Sequence, residues 1–212
     1  MVYIMVIFVL IAIFAPHFAY AEELEAIKLS APRFDRGMLL MDALKERKST
    51  RSFSGKEIPV DVLSDLLWAA WGINRPEEGK RTAPSAMNLQ EIDIYLAMRD
   101  GVYLYRPGQN LLEPVLARDI RESTGVQEFT QKAPVNLIYV ADLSRMPTDK
   151  SGKSFFSAID TGYISQNVYL FCASEGLATV AIAWVDKESL EELMGLRKDQ
   201  KVILTQPVGY PE

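Results

Sequence analysis

Residues 46–53 read ERKSTRSF, a short stretch in which cationic and hydroxyl side chains are concentrated. The cations are Arg47, Lys48 and Arg51, and the hydroxyls belong to Ser49, Thr50 and Ser52. One interpretation is a solvated surface, because cations near a helix C-terminus interact favourably with the helix dipole, by roughly 0.3–1 kcal/mol each. The other is a site for a phosphate group or a flavin, in which guanidinium groups pair with phosphate oxygens and hydroxyls complete the shell. Spacing alone does not decide between them.

The residues on either side of this stretch predict two helices. Residues 38–47 place apolar side chains at helical spacing, so ERKSTRSF lies at the end of a helix and in the turn beyond it. A second helix, VDVLSDLLWAAWGI, begins after Pro59 and ends near Gly72. A polar loop that contains Gly and Pro follows over residues 74–88.

Five strands are predicted after this loop. Residues 92–98 alternate between apolar and other side chains, and the Asp-Gly pair that follows indicates a tight turn into a second strand, VYLYRP. The other three strands are apolar runs at residues 135–141, 178–184 and 201–208. We therefore expect an α+β domain with a central, mostly antiparallel sheet of about five strands covered by helices.

Further helices are predicted between these strands. NLLEPVLARDI, residues 110–120, and a stretch near Gln127 have helical patterns. Residues 160–175 predict a helix whose later part is apolar on most sides, which indicates burial within the protein or in a dimer. A last helix begins after Asp186, which can cap it, and ends at Gly195.

The composition suits a single folded domain with its own core. The chain has 212 residues, of which 49% are hydrophobic and 24% charged, and this balance is typical of a globular protein. The formal net charge of −5 argues against nucleic acid as a partner, because phosphate contacts need a strongly positive face.

The N-terminus is predicted to be a signal peptide over residues 1–21, which leaves residues 22–212 as the domain. This segment contains no Asp, Glu, Lys or Arg, and it ends in Ala19-Tyr20-Ala21, a small-x-small cleavage site. Cleavage would give an exported, periplasmic or otherwise extracytoplasmic protein without stable membrane insertion. An uncleaved membrane anchor is the alternative, which Pro16 and the polar residues after it disfavour.

Cleavage would remove the only histidine, His17. The mature chain would then lack imidazole, which excludes Ser-His and Cys-His catalysis and histidine metal sites, and we expect no metal. The one cysteine, Cys172, lies in an apolar helical run and is expected to be a small core residue. If the protein is an enzyme, a bound cofactor would carry the chemistry.

A second polar segment, RTAPSAMNLQ, occupies residues 81–90 before a predicted strand. Its side chains Ser85, Asn88 and Gln90 are closely spaced, and amides offer both donors and acceptors to the edge of a heterocycle. On its own this segment could equally be a loop in which Ser and Asn close turns.

The two segments belong to an ordered series that resembles the nitroreductase superfamily of FMN-dependent oxidoreductases. RKSTRSF is similar to that family's Arg-x-Ser-x-Arg/Lys motif, and PSAMNLQ to its Pro-Ser-x-x-Asn-x-Gln motif. The helix after Pro59, the segment DTGYISQNVYLFCASEGLATVAIAW and a terminal PVGYP follow in family order. The hairpin GVYLYRP is also similar to the azoline-oxidising branch of the superfamily.

The resemblance implies a homodimer with FMN at the subunit interface. Carried over, the FMN phosphate and the pyrimidine edge would be held by Arg47, Lys48, Ser49 and Arg51. The isoalloxazine ring would meet Ser85, Asn88 and Gln90, often from the partner subunit. The backbone of residues 181–184 would pass beside N5, with Ala183 and Trp184 as the expected contacts. The reaction implied is hydride transfer through N5 from a reduced nicotinamide, NAD(P)H, or another donor to a nitroaromatic, quinone or similar small acceptor.

Two other functions stay open from the sequence. One is a flavin-binding or electron-carrying protein with the same fold and little turnover. The other is a non-enzymatic envelope domain in which ERKSTRSF is only surface. Tyr103, Tyr105 and Trp184 could be walls of a substrate pocket, or they could be ordinary core or hairpin residues.

Overall fold

The computed structural model describes residues 24–147 and 149–212. The predicted signal peptide and His17 lie outside the described residues, so cleavage and export stay predictions. Within the described ranges, no helix is long and apolar enough to cross a membrane.

The described residues contain nine strands: β1 (Ile27–Lys28), β2 (Ile73–Arg75), β3 (Lys80–Arg81), β4 (Ile92–Ala97), β5 (Val102–Arg106), β6 (Leu111–Leu116), β7 (Val135–Asp142), β8 (Ala178–Thr179) and β9 (Gln200–Gly209). Strands β2 and β3 form a separate hairpin, and the other seven form one sheet in the order β1-β6-β5-β4-β7-β9-β8. Every neighbouring pair is antiparallel. The antiparallel α+β prediction is confirmed, but the sheet has seven strands rather than about five.

The centre of the sheet is buried on both faces. In β4, Ile94 and Leu96 point to one face while Tyr95 and Ala97 point to the other, and none of the four is more than 5% exposed. The predicted tight turn closes the β4–β5 hairpin, where the backbone N–H of Met98 donates to the carbonyl oxygen of Gly101 at 2.8 Å.

Five α-helices lie in the described ranges: α1 (Leu40–Glu46), α2 (Val60–Trp71), α3 (Phe129–Lys132), α4 (Lys150–Glu175) and α5 (Lys187–Leu193). The predicted boundaries of α2 are confirmed, since it begins after Pro59 and ends before Gly72. The predicted cap of α5 is also confirmed, because the Asp186 carboxylate accepts a hydrogen bond from the backbone N–H of Ser189.

The helices divide the core into two layers. Apolar side chains of α2 and α4 pack on one face of the sheet with those of β4 and β7. On the opposite face, Leu190 and Met194 from the α5 region pack against Val140 and Val202. A fully buried leucine such as Leu66 contributes about 1.5–3 kcal/mol relative to an exposed one, so both layers stabilise the sheet.

The prediction of a helix over residues 110–120 is wrong, because this region contains strand β6. Its apolar positions, Leu111, Leu112, Val115 and Leu116, satisfy a helical spacing as well as a strand. Pairing along the whole of β5 and with β1 selects the strand. Pro114 lacks a backbone N–H but is tolerated there. Strand β1 pairs only with Leu111 and Leu112, so the edge of β6 at residue 114 has no β1 residue that would need a donor.

Three further predictions need correction. The predicted strand at residues 178–184 is reduced to β8 and one bridge between Ile182 and Thr205, because the chain leaves the sheet edge after Thr179. The predicted loop at residues 74–88 contains most of the β2–β3 hairpin and two short 3-10 turns. Helix α4 begins ten residues earlier than predicted, where Asp149 caps it by accepting from the N–H of Gly152 at 2.8 Å.

Candidate functional site

The basic segment, residues 47–52, is an extended chain that follows α1. Two backbone hydrogen bonds hold it: the N–H of Thr50 donates to the Thr179 carbonyl of β8, and the N–H of Ser54 donates to the Tyr210 carbonyl, both at 2.9 Å. Phe53 is 1% exposed and packs with Phe129 of α3, which fixes the end of the segment. The segment is therefore held at the sheet edge, while most of its polar side chains remain accessible to solvent.

Alternate side chains of the basic segment face different surroundings. Lys48, Thr50 and Ser52 line a cavity of about 530 Å³, whose other walls come from α4 and the C-terminal residues. A cavity of this volume is within the range of small-molecule and cofactor sites. The remaining lining residues are Met38, Glu46, Tyr169, Cys172, Ala173, Gly176, Leu177, Ala178, Pro211 and Glu212.

Tyr169 of α4 connects the basic segment to the chain that follows β8. Its phenolic oxygen lies 3.0 Å from the Ser49 hydroxyl and accepts a hydrogen bond from the backbone N–H of Ala181 at 2.8 Å. The guanidinium carbon of Arg47 lies 5.3 Å from the centre of the Tyr169 ring, within the range of a cation–π contact. Tyr169 was not predicted as a site residue, because a tyrosine within a helical pattern carries no local signal of this role.

The cations of the basic segment have no acidic partners in the described part of the chain. Arg47, Lys48 and Arg51 make none of its ion pairs. By contrast, Arg121 pairs with Asp119 at 2.7 Å, as is usual for a buried guanidinium. Three unpaired cations within the five residues 47–51, with two hydroxyls between Lys48 and Arg51, can bind an anion without first breaking an internal ion pair.

The chain at residues 181–184 is not the full strand that was predicted: Ile182 is buried, and only Ala183 and Trp184 are exposed. The N–H of Ala181 donates to Tyr169, and that of Ile182 donates to the Thr205 carbonyl at 2.8 Å. Among the described residues, the N–H groups of Ala183 and Trp184 have no hydrogen-bond partner. These two donors are therefore free for a ligand, and the Trp184 side chain is 74% exposed beside them.

The second polar segment forms a loop with an unusual backbone. Met87, Asn88 and Gln90 have φ of 52°, 56° and 51°, the left-handed region that side chains other than glycine seldom adopt. The Ser85 hydroxyl accepts from the Gln90 N–H at 3.0 Å, and the Gln90 amide donates to the Asn88 side chain at 3.0 Å. Such conformations cost about 1–3 kcal/mol each and cluster at functional sites. The structure thus brings Ser85, Asn88 and Gln90 together.

Arg81 supports this loop from β3. Its Nε donates to the Gln90 side chain at 2.7 Å, its Nη1 donates to the Trp71 carbonyl at 3.0 Å, and its guanidinium lies 4.8 Å from the Trp71 ring centre. Burial lowers the pKa of Arg81 from its usual value. Arg81 makes no ion pair with any described carboxylate, so hydrogen bonds and the indole ring hold it instead.

Within this chain, the basic segment and the PSAMNLQ loop are not in contact. No hydrogen bond or ion pair of the described residues joins residues 47–52 to residues 81–90, and the cavity beside the basic segment has no wall from that loop. Each predicted half-site is present in one chain, but the two halves are separate.

Other residues that the sequence analysis considered are part of the core. Tyr103 and Tyr105 are 2% and 4% exposed, so both are packing residues, although Tyr103 also lines a separate cavity beside β1. Cys172 is also buried, and burial raises the pKa of its thiol. Across residues 24–147 and 149–212, no three His, Cys, Asp or Glu side chains are placed to hold a metal ion.

Comparison with known structures defines the class of fold. The chain superposes on the crystal structure of a candidate nitroreductase from Ralstonia eutropha with a TM-score of 0.85 and 41% identity, covering 91% of each chain. The NADPH:FMN oxidoreductase from Vibrio harveyi, solved in complex with NAD⁺, shares the fold with a TM-score of 0.62 and 19% identity, over 82% of this chain and 68% of that one.

Sequence comparison then gives the family. The chain is 29% identical over 181 residues to a candidate nitroreductase of Methanocaldococcus jannaschii, covering 80% of this chain and 90% of that protein. The nitroreductase family profile matches residues 44–210. The chain belongs to the nitroreductase family, a family of oxidoreductases, which confirms the resemblance at the level of the family.

Proposed function

We propose that this protein is an FMN-dependent oxidoreductase that transfers two electrons to a small organic acceptor. The observation that carries the proposal is the basic segment: three cations without acidic partners among the described residues, together with three hydroxyls, beside a cavity of about 530 Å³. A flavin phosphate needs such donors, because charge-assisted hydrogen bonds from guanidinium groups are shorter and stronger than neutral ones. The donor set therefore fits the phosphate end of FMN.

The flavin ring also has suitable partners. In the proposed site, the phosphate and the pyrimidine edge of the ring are held by Arg47, Lys48, Ser49 and Arg51. The N–H groups of Ala183 and Trp184 are the remaining donors for flavin N5, since those of Ala181 and Ile182 are already bonded within the chain. A backbone N–H cannot titrate, so this contact would not change with pH.

When bound, FMN would supply hydride chemistry at N5, from a reduced nicotinamide or another donor to a nitroaromatic, quinone or similar acceptor. The residues of this chain bind and orient the cofactor. Ser85, Asn88 and Gln90 are assigned to the ring because their amides and hydroxyl can match its carbonyl and imide groups. The NADPH:FMN oxidoreductase of Vibrio harveyi, solved with NAD⁺, supports a nicotinamide as donor.

A homodimer would bring the two separate half-sites together. Large apolar side chains are exposed next to and on α1, where Leu39, Leu40 and Met41 are 63–76% exposed, and on α4, where Phe155 is 61% exposed. Burying such residues against a second copy is favourable, at roughly 25 cal/mol per Å² of apolar surface. We therefore assign the PSAMNLQ loop to the ring bound mainly by the partner subunit.

The test is flavin binding by the purified protein. We expect yellow protein, or protein that takes up FMN and retains about one flavin per subunit through gel filtration. Oxidation of reduced nicotinamide with a quinone as acceptor then distinguishes an enzyme from an electron carrier of the same fold. A colourless protein that FMN neither colours nor stabilises against heating would contradict the proposal and favour the interpretation of the basic segment as surface.

Export and the azoline-oxidising branch stay predictions from the sequence. If the protein is exported, its FMN must be acquired outside the cytoplasm, and a membrane or periplasmic carrier could replace the nicotinamide. Fractionation of cells that express the full chain would test the first prediction. Assay with an azoline-containing peptide would test the second.

A further inference from the structure

Two carboxyl groups are buried together behind the PSAMNLQ loop. Glu91 follows Gln90 at the start of β4 and is 0% exposed, and Asp160 of α4 is 2% exposed. Asp160 accepts a hydrogen bond from the backbone N–H of Ala86 at 2.8 Å, so it holds the first turn of the loop. Glu91 is covalently attached to the last residue of the same loop. The pair therefore contacts both ends of the segment that presents Ser85, Asn88 and Gln90.

The hydrogen bonding of Glu91 is incomplete when it is ionised. Neither of its carboxylate oxygens has a donor among the described residues. A buried carboxylate without donors is costly, whereas a protonated carboxyl next to a carboxylate can donate one strong hydrogen bond to it. Asp160 is the neighbour that would accept it, since it is the acid that raises the pKa of Glu91 through its charge and through hydrogen bonding.

We propose that Glu91 and Asp160 share one proton, and that this shared proton positions the PSAMNLQ loop for contact with the flavin ring. The second half of this inference rests on the proposed function. The two residues are positioning residues, because they act on the ring only through the loop.

The surrounding charges do not neutralise Glu91. Burial, followed by Asp160, raises the pKa of Glu91 to about 7, and this shift is opposed by the backbone N–H of Glu91 itself and by Arg145, from the turn after β7. Arg145 is already engaged by Asp93 of β4 at 2.8 Å and by Asp142 of β7 at 3.4 Å.

Two further cations lie in this region: Arg81, which is bonded to Gln90, and Lys153 of α4, whose ammonium donates to the Leu143 carbonyl at 2.7 Å. Arg145 also donates to the Gln90 carbonyl at 3.0 Å, so it fixes the loop backbone from outside while the acid pair lies behind it.

The direction of the pH effect follows from these contacts. Below about pH 7 the pair holds its proton, the carboxyls are bonded, and Asp160 keeps its bond to Ala86. Above that pH Glu91 loses its proton and with it the hydrogen bond to Asp160, and the resulting repulsion would push Glu91 and the loop away from α4. FMN binding should therefore be tighter when Glu91 is protonated, and bound FMN should in turn raise the pKa of Glu91.

The first experiment measures the dissociation constant of FMN by fluorescence quenching between about pH 5 and about pH 9, for the wild-type protein and for Glu91→Gln. The glutamine amide can donate to Asp160 at every pH. Because the FMN phosphate itself loses a proton near pH 6, the quantity to read is the ratio of the two dissociation constants, in which that contribution cancels. Glu113→Gln, an exposed member of an ion pair on β6, is the matched control.

We expect the wild-type dissociation constant to rise at least about fivefold relative to that of Glu91→Gln as the pH passes about 7. The ratio for Glu113→Gln should stay flat. A flat ratio for Glu91→Gln, in protein that binds FMN, would overturn the positioning role.

A second measurement needs neither a variant nor FMN. Carbon-13 NMR of protein labelled at the glutamate carboxyl carbons should show one glutamate that titrates near pH 7, well above the ordinary value of about 4.3. Titration of every glutamate near the ordinary value would overturn proton sharing. Protein that binds no FMN at any pH, yet shows the shifted glutamate, would reject the proposed function and the positioning role while keeping the acid pair.

Discussion

The hydroxyl of Tyr169 accepts a hydrogen bond from the backbone N–H of Ala181 at 2.8 Å, and this contact joins α4 to the chain that carries the free N–H groups. The same hydroxyl lies 3.0 Å from that of Ser49 in the basic segment. One side chain therefore sets the distance between the proposed phosphate donors and the proposed N5 donors, although the two groups are more than a hundred residues apart in sequence.

Tyr169→Phe should loosen this connection without removing the ring. The loss of the hydroxyl leaves the half-buried Ala181 N–H without its partner, and we expect the free energy of unfolding to fall by about 1–2 kcal/mol. FMN affinity should fall about fivefold, because the two donor groups are no longer held at a fixed distance. Urea unfolding and fluorescence titration measure the two effects. Tyr163→Phe, an exposed tyrosine on the same helix, should change neither.

The double variant Arg47→Ala and Arg51→Ala should weaken FMN binding at least about a hundredfold, since hydrogen bonds to charged groups contribute roughly 1.5–3 kcal/mol each. Riboflavin, which lacks the phosphate, should lose much less affinity. The control is Arg118→Ala with Lys198→Ala, which removes the same charge from exposed positions without ion pairs among the described residues. Equal losses for FMN and riboflavin would place these arginines at the ring instead of the phosphate.

Arg81→Lys should disturb the PSAMNLQ loop. An ammonium group lacks the planar fork with which Arg81 serves both Gln90 and the Trp71 carbonyl, and it stacks less well on the indole. We expect the free energy of unfolding to fall by about 1–2 kcal/mol and FMN affinity to fall with it. Arg75→Lys, at an exposed arginine of the same hairpin, is the control. Unchanged FMN affinity in a destabilised Arg81→Lys protein would show that the loop does not contact the ring.

The sequence alone predicted the helices and the hairpin whose ends are set by capping, proline or turn residues. Pro59 and Gly72 delimit α2, and Asp186 caps α5, because these residues satisfy or terminate backbone hydrogen bonds within a few positions. The β4–β5 hairpin was predictable for the same reason, since its Asp-Gly turn is local. The family and its order of motifs were also recognised from the sequence.

Features that depend on distant parts of the chain were not predictable. Strand β6 has an apolar pattern that suits a helix equally well, and its pairing with β5 and β1 decides between the two. The left-handed backbone at Met87 and Gln90 is held by Ser85 and Arg81, and neither contact follows from composition. The burial of Glu91 against α4 is likewise a long-range contact. Its position directly after a polar motif and before an apolar strand was the one local indication that this acid is buried.

The alternation along residues 47–52 constrains how this protein can vary in length. The Thr50 and Ser54 backbone bonds and the Phe53 side chain fix the register of the segment, so substitutions there change one group at a time. Insertion or deletion of a single residue would instead exchange the two faces, turning Lys48 out of the cavity wall and Ser49 away from the Tyr169 hydroxyl. In a library of length variants, this stretch should tolerate no single-residue change in length, whereas the exposed turn at residues 76–79 should tolerate several.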